Sequence, residues 1–80
     1  MKELVDYIVK SLVDMPDEVS IEEKFENNET VYYVSVADGD LGKVIGKSGR
    51  IANAIRTIVK AAAIKEKKNV FVKILSGDEA

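Results

Sequence analysis

The chain has no cysteine, no histidine and no tryptophan, and only one proline among its 80 residues. Without Cys and His there are no thiol nucleophiles, disulfides, imidazole bases or common zinc ligands, which leaves carboxylates, lysines and hydroxyls for any chemistry. That argues against an enzyme, and no cofactor or metal is expected. A long apolar run is missing as well. The opening "MKELVDYIVKSLVDM" mixes acids with hydrophobics at helical spacing, where a signal peptide or membrane span needs an unbroken apolar segment. A cytoplasmic location is therefore expected. A core of this size cannot be divided, so residues 1–80 should form one domain. The balance of 46% hydrophobic and 32% charged residues is that of a folded chain.

The formal net charge of -2 conceals a split. Residues 1–42 carry 3 Lys and 11 Asp or Glu, whereas residues 43–73 carry 9 Lys or Arg against Glu66 alone. Either the two halves neutralise each other across the fold, or the second half builds one positive face of the kind that binds phosphates.

Hydrophobic spacing supplies the elements. Leu4, Ile8, Leu12 and Met15, with Val5 and Val9 beside them, predict an amphipathic helix that stops near Asp14 or Met15, ahead of Pro16. "VSIEEKF" alternates Val19, Ile21 and Phe25 against Ser20, Glu22 and Lys24, as a strand with one wet face does. Asn27 and Asn28 tolerate a left-handed turn, and "VYYVSVA" follows, so a hairpin is expected. Asp38 or Asp40 can cap a short helix through Leu41, Val44 and Ile45 that ends at Gly46. A longer helix opens after Gly49 with Ile51, Ile55, Ile58 and Ala62 as its stripe; it runs out in "KEKKN", and "VFVKIL" is a third strand. The last residues, about 76–80, read as a frayed tail. The expected fold class is α+β, order α-β-β-α-α-β, with a three-stranded sheet and three helices packed on one face.

Within that frame the stretch "GKVIGKSGR" carries the functional signal. It falls one residue short of the phosphate loop G-x-x-x-x-G-K-[ST], because only three residues separate Gly42 from Gly46. From the other end, Gly46, Lys47, Ser48 and Gly49 form G-x-x-G between two helices. Glycines there allow a sharp reversal and close approach of another backbone, and the next helix begins with amides and a dipole end that attract an anion. By itself such a loop is either an interhelical turn or a phosphate clamp.

The surrounding "VIGKSGRIANAI", followed by a basic helix, a loop and a strand, resembles the KH domain, an RNA-binding module whose G-x-x-G loop holds a single strand's backbone. A helix and strand ahead of the shared strand-helix-helix-strand core is the type II arrangement. A domain of this length centred on "GKVIGKSGRIANAIRTIV" is similar to the KhpA family of small bacterial RNA-binding proteins. The resemblance implies single-stranded RNA as partner and a role as RNA chaperone or post-transcriptional regulator. It implies a clamp of Gly46, Lys47, Ser48 and Gly49, an apolar groove involving Val44, Ile45 and Ile55, and flanking cations Lys43, Arg50, Arg56 and Lys60. Lys65, Lys67 and Lys68 would sit in the loop beside the groove. Ala52 stands where many KH domains carry a larger aliphatic residue, which implies a shallower groove floor.

The resemblance also implies a homodimer and pairing with a larger Jag-type (KhpB-like) RNA-binding protein, so a dimerisation or adaptor module is the alternative reading. "AAAI", residues 61–64, is either an ordinary helix end or a close-packing patch for a second chain. Tyr32 and Tyr33 are adjacent in a strand, so one should face the core and the other outward.

Overall fold

A computed structural model of the chain describes residues 1–75; the expected tail at about 76–80 lies outside the described residues. The elements follow the order expected: α1 (Lys2–Leu12), β1 (Ser20–Glu26), β2 (Glu29–Ser35), α2 (Leu41–Ile45), α3 (Arg50–Lys65) and β3 (Val70–Ile74). Single turns of 3-10 helix at Pro16–Glu18, Asp38–Asp40 and Lys47–Gly49 join them.

The sheet runs β1-β2-β3, with β1 antiparallel and β3 parallel to the central β2. Asn27 and Asn28 both adopt left-handed backbone at φ 51° and 63°, the geometry a two-residue hairpin needs to match the strands' twist. Glu26 pairs with Glu29 directly across the turn. Of the adjacent tyrosines, Tyr32 is in the core and Tyr33 is half-buried on the opposite face. The Tyr32 hydroxyl donates to Glu23 at 3.3 Å and that of Tyr33 to Glu26 at 2.9 Å. Burial, with Glu23 adding to it, pushes the Tyr32 phenol up to about 12.

The core lies between one sheet face and the helices. Val5 and Val9 from α1, Val44 from α2, Ile55 and Val59 from α3, and Tyr32, Val34 and Val72 from the sheet form its buried centre. The two helix stripes shift by about a residue, and the apolar face of β1 ends short of Phe25. On α1 the deepest positions are Val5 and Val9, whereas Leu12 and Met15 are exposed, because the helix ends at Leu12 and Val13 is already extended at φ -97°, ψ 158°. On α3 the buried positions are Ala52, Ile55, Val59 and Ala63, and Ile58 is 50% exposed. On β1 Phe25 is 74% exposed, because it pairs with Thr30 next to the hairpin turn. There it borders an open cleft of about 340 Å³ facing Lys67, Lys68 and Asn69.

Asp40 departs from its expected part. It precedes α2, yet its carboxylate makes no cap there. It accepts the backbone N–H groups of Asp14 and Met15 at 3.1 and 2.9 Å, tying the α1–β1 connection to the start of α2.

Candidate nucleic-acid interface

The loop from Gly46 to Gly49 owes its shape to left-handed backbone that few side chains tolerate. Gly46 sits at φ 74°, ψ 175°, Ser48 at φ 57° and Gly49 at φ 75°. The Gly46 N–H closes α2 by donating to the Gly42 carbonyl at 2.8 Å, and the Gly49 N–H donates back to Gly46 at 3.2 Å. The two glycines serve different ends. A Cβ on Gly46 would strike Ile51, 2.6 Å from its Cγ1, whereas one on Gly49 would meet nothing within 4 Å. Gly46 is thus required by packing inside the protein, and Gly49 opens onto space at the start of α3.

That open side has the character of an anion site. Lys47 and Ser48 are exposed at the loop's tip. The 16-residue α3 begins without a side-chain cap and without an acid in its first turn, so no side chain competes with an anion for its positive end. Among the described residues, Lys47, Arg50 and Lys60 make no ion pair.

Lys43, expected among the flanking cations, is placed otherwise. Its ammonium is held by Asp14 and, at 3.3 Å, by Asp40. These hydrogen bonds, that to Asp14 first, hold the Lys43 ammonium above its ordinary value. The N–H groups of Asp14 and Met15 together with Lys43 hold the Asp40 carboxyl below its own, against the opposing effect of burial. Two carboxylates therefore occupy the charge that a phosphate would need.

Val44 and Ile55, expected along the apolar groove, are fully buried. They support the surface from beneath, and Ile45, half-buried, is the member of that trio with area to offer. Ala52 is likewise in the core.

Arg56 and Lys60 stand four residues apart on the side of α3 that faces β3. The edge of β3 is open. Thr30 N donates to the Asn69 carbonyl and Leu75 N to that of Val34. In a parallel ladder this alternation leaves the backbone groups of Val70, Val72 and Ile74 pointing away from β2. The Arg56 Nε takes one of them, donating to the Val72 carbonyl at 2.9 Å. Beyond it, Glu29, Lys60, Ile64, Lys68, Val70 and Phe71 line a cleft of about 280 Å³. Phe71 and Ile64, at 43% and 64% exposure, were not among the expected site residues. The signal for Phe71 was the alternation in "VFVKIL": if Val70 and Val72 face the core, Phe71 cannot. Lys65 and Lys67 are exposed in and beside the loop that follows α3, and Lys68 pairs with Glu66 at 3.5 Å.

The chain matches the family model described as KhpA/KhpB, KH domain, over residues 2–74. An RNA-binding protein KhpA from Clostridium perfringens is 56% identical over 94% of this chain and 100% of its own length. Relatives of the same description from Caldanaerobacter subterraneus, 56% identical, and Chlamydia trachomatis, 45% identical, cover 94% of this chain and 100% and 96% of their own. No solved structure matches. The type II order, the G-x-x-G reversal between α2 and α3 and these relationships agree, and the chain belongs to the KhpA/KhpB family of KH domains.

Proposed function

We propose that this protein binds single-stranded RNA without catalysis, gripping the backbone at Gly46–Gly49 and laying bases along the cleft between α3 and the edge of β3. The family is a non-enzymatic one. The observation that carries the reading is the open space over Gly49 at the uncapped start of α3, with Lys47 and Ser48 exposed beside it. Backbone approaches a loop most closely where no Cβ intervenes, and phosphates are favoured where a helix dipole and an unpaired ammonium coincide. The contact set is Gly46, Lys47, Ser48, Gly49, Arg50, Ile45, Arg56 and Lys60. Such a binder acts on transcripts as an RNA chaperone or post-transcriptional regulator, in the cytoplasm. Among the described residues no helix is long and apolar enough to cross a membrane.

The test is an anisotropy titration of a labelled single strand against salt. With about three or four phosphates contacted, the logarithm of affinity should fall with that of salt at a slope of roughly -2 to -3. A duplex should bind worse, because its bases cannot enter the cleft. Salt-independent binding, or equal binding of duplex and single strand, would remove this reading.

Self-association is part of the same proposal. Ala54, Ile58 and Ala61 recur at four and three residues on a side of α3 away from Arg56 and Lys60, and all three are exposed. Small residues flanking one large apolar side chain let a second helix approach closely, and an 80-residue domain has little core of its own. A homodimer through this face leaves the cleft free. The same face would suit a Jag-type partner, as an adaptor would use it.

A further inference from the structure

The Arg56 side chain is held in a way that a merely flanking cation is not. Its Nε donates to the Val72 carbonyl at 2.9 Å, and one Nη1 hydrogen goes to the Asn53 side-chain oxygen at 3.2 Å. Its guanidinium carbon lies 5.3 Å from the centre of the Phe71 ring. Each of these partners is neutral, and among the described residues Arg56 forms no ion pair. The group is therefore fixed in orientation while its charge stays unanswered. A guanidinium has five N–H donors in a planar fork. With the Nε–H and one Nη1–H committed, one hydrogen on Nη1 and both on Nη2 remain, so two adjacent nitrogens still carry free donors.

A preorganised pair of donors fits two adjacent acceptors, as bidentate recognition requires. Next to the fork, Phe71 and Ile64 give apolar surface along the cleft, with room for a planar ring. We propose that Arg56 reads a nucleobase, its Nη1 and Nη2 donors taking two adjacent acceptors on one base edge while the ring lies against Phe71 and Ile64. Guanine offers such a pair in O6 and N7, and cytosine in O2 and N3. Adenine sets its amino group beside N7 and N1, and uracil sets its N3–H between two carbonyls, so neither presents one. Arg56 is then a specificity determinant for guanine or cytosine at one position of the strand. This rests on the reading of the chain as a single-stranded RNA binder. Asn53 and the Val72 carbonyl act as positioning groups that hold the fork.

The experiment titrates the whole protein with adenosine heptamers carrying a single guanosine, cytidine or uridine, the substitution moved through the oligomer. Guanosine or cytidine at one position should tighten binding by about tenfold over the all-adenosine strand, within what one bidentate pair confers. A guanosine preference should vanish with 7-deazaguanosine, which lacks N7. Arg56→Lys keeps the charge and removes the fork. It should bring all heptamers to within about twofold of one another and leave the salt slope unchanged.

A parent that does not discriminate, or a preference that survives in Arg56→Lys, overturns the proposal. So does Arg56→Gln, which removes the charge, if it weakens all heptamers uniformly with a shallower salt slope and the parent's preference intact, because that would make Arg56 a phosphate contact. Failure of the parent to bind any heptamer overturns the RNA reading itself and is distinct from these. Should Arg56→Lys melt early, the parent's own Arg56 Nε–H resonance decides. Its shift on adding the preferred heptamer but not the all-adenosine one supports the proposal, and equal shifts sink it.

Discussion

Gly46 and Ile51 are in contact so close that no side chain fits between them: a Cβ on Gly46 would lie 2.6 Å from Ile51 Cγ1 and 3.0 Å from its Cβ. The Ile51 Cβ is fixed to α3 and cannot move without the helix. Gly46 also occupies backbone at φ 74°, ψ 175° that is almost confined to glycine. Gly46→Ala should therefore cost about 3 kcal/mol or more, combining backbone strain with the clash. Gly49 is left-handed too, but faces open space, so Gly49→Ala should cost only about 1–2 kcal/mol. Circular dichroism melts should show the first variant losing clearly more degrees than the second. Equal losses would mean that the Gly46–Ile51 contact relaxes.

The Asp40 tie has a pH signature. Its carboxyl is held below the ordinary value of 3.8, so its contribution is complete above that pH and is lost as pH falls through the lowered value. Lys43 is held above 10.5, so its contribution is complete below that pH and is lost as pH rises further. Asp40→Asn should melt lower than the parent near neutrality by about 5 °C or more for a domain of this size. The two melting temperatures should converge as pH drops below about 3.8, the ordinary value of the group. Lys43→Met should leave RNA affinity within about twofold of the parent, because its ammonium is already engaged. A larger loss with a normal melt would return Lys43 to the binding set.

What was legible in the sequence follows from where a single strong constraint acts. The Asn27–Asn28 turn, the break at Gly46 and the order of elements were readable because left-handed backbone and period changes leave few alternatives. The rotation of each helix about its own axis was not. The α1 stripe could be drawn through Leu4 and Ile8 or through Val5 and Val9, and only the tertiary packing selects the valines. Asp40 looked like a helix cap because local spacing permits it, whereas its real partners are 26 and 25 residues away. In the same way the charge of Lys43 was visible but its engagement by Asp14 was not. Arg56 read as one cation among several, since its anchor is a backbone carbonyl of Val72, 16 residues on, which no side-chain pattern reveals.

Self-association should depend on the outward side of α3. Ile58 is half exposed between Ala54 and Ala61, so Ile58→Glu would place a charge at the centre of the proposed contact without touching the core. Sedimentation of the parent should show a dimer at tens of micromolar, where interfaces of roughly micromolar affinity populate. The variant should sediment as a monomer of 8.8 kDa with an unchanged melt at low concentration. A monomeric parent would withdraw both the dimer and the adaptor use of this face.

The clamp can be separated from a mere turn by reversing its charge. Lys47→Asp with Ser48→Asp keeps both glycines, and Ser48 is left-handed at φ 57°, a conformation that Asp tolerates better than most residues. Near the start of α3 the dipole favours acids, so the fold should lose little stability. Two negative charges would nevertheless stand where phosphates are proposed to pass. Affinity for single-stranded RNA should drop by at least about tenfold, equivalent to about 1.4 kcal/mol, as attraction and hydrogen bonding give way to repulsion. Dimerisation should persist, because Ile58 lies two turns into α3 from the loop. Anisotropy titration beside a circular dichroism melt reads both quantities. If the double variant binds RNA as the parent does while melting normally, Gly46–Gly49 is a turn between helices, and the adaptor role becomes the reading of the fold.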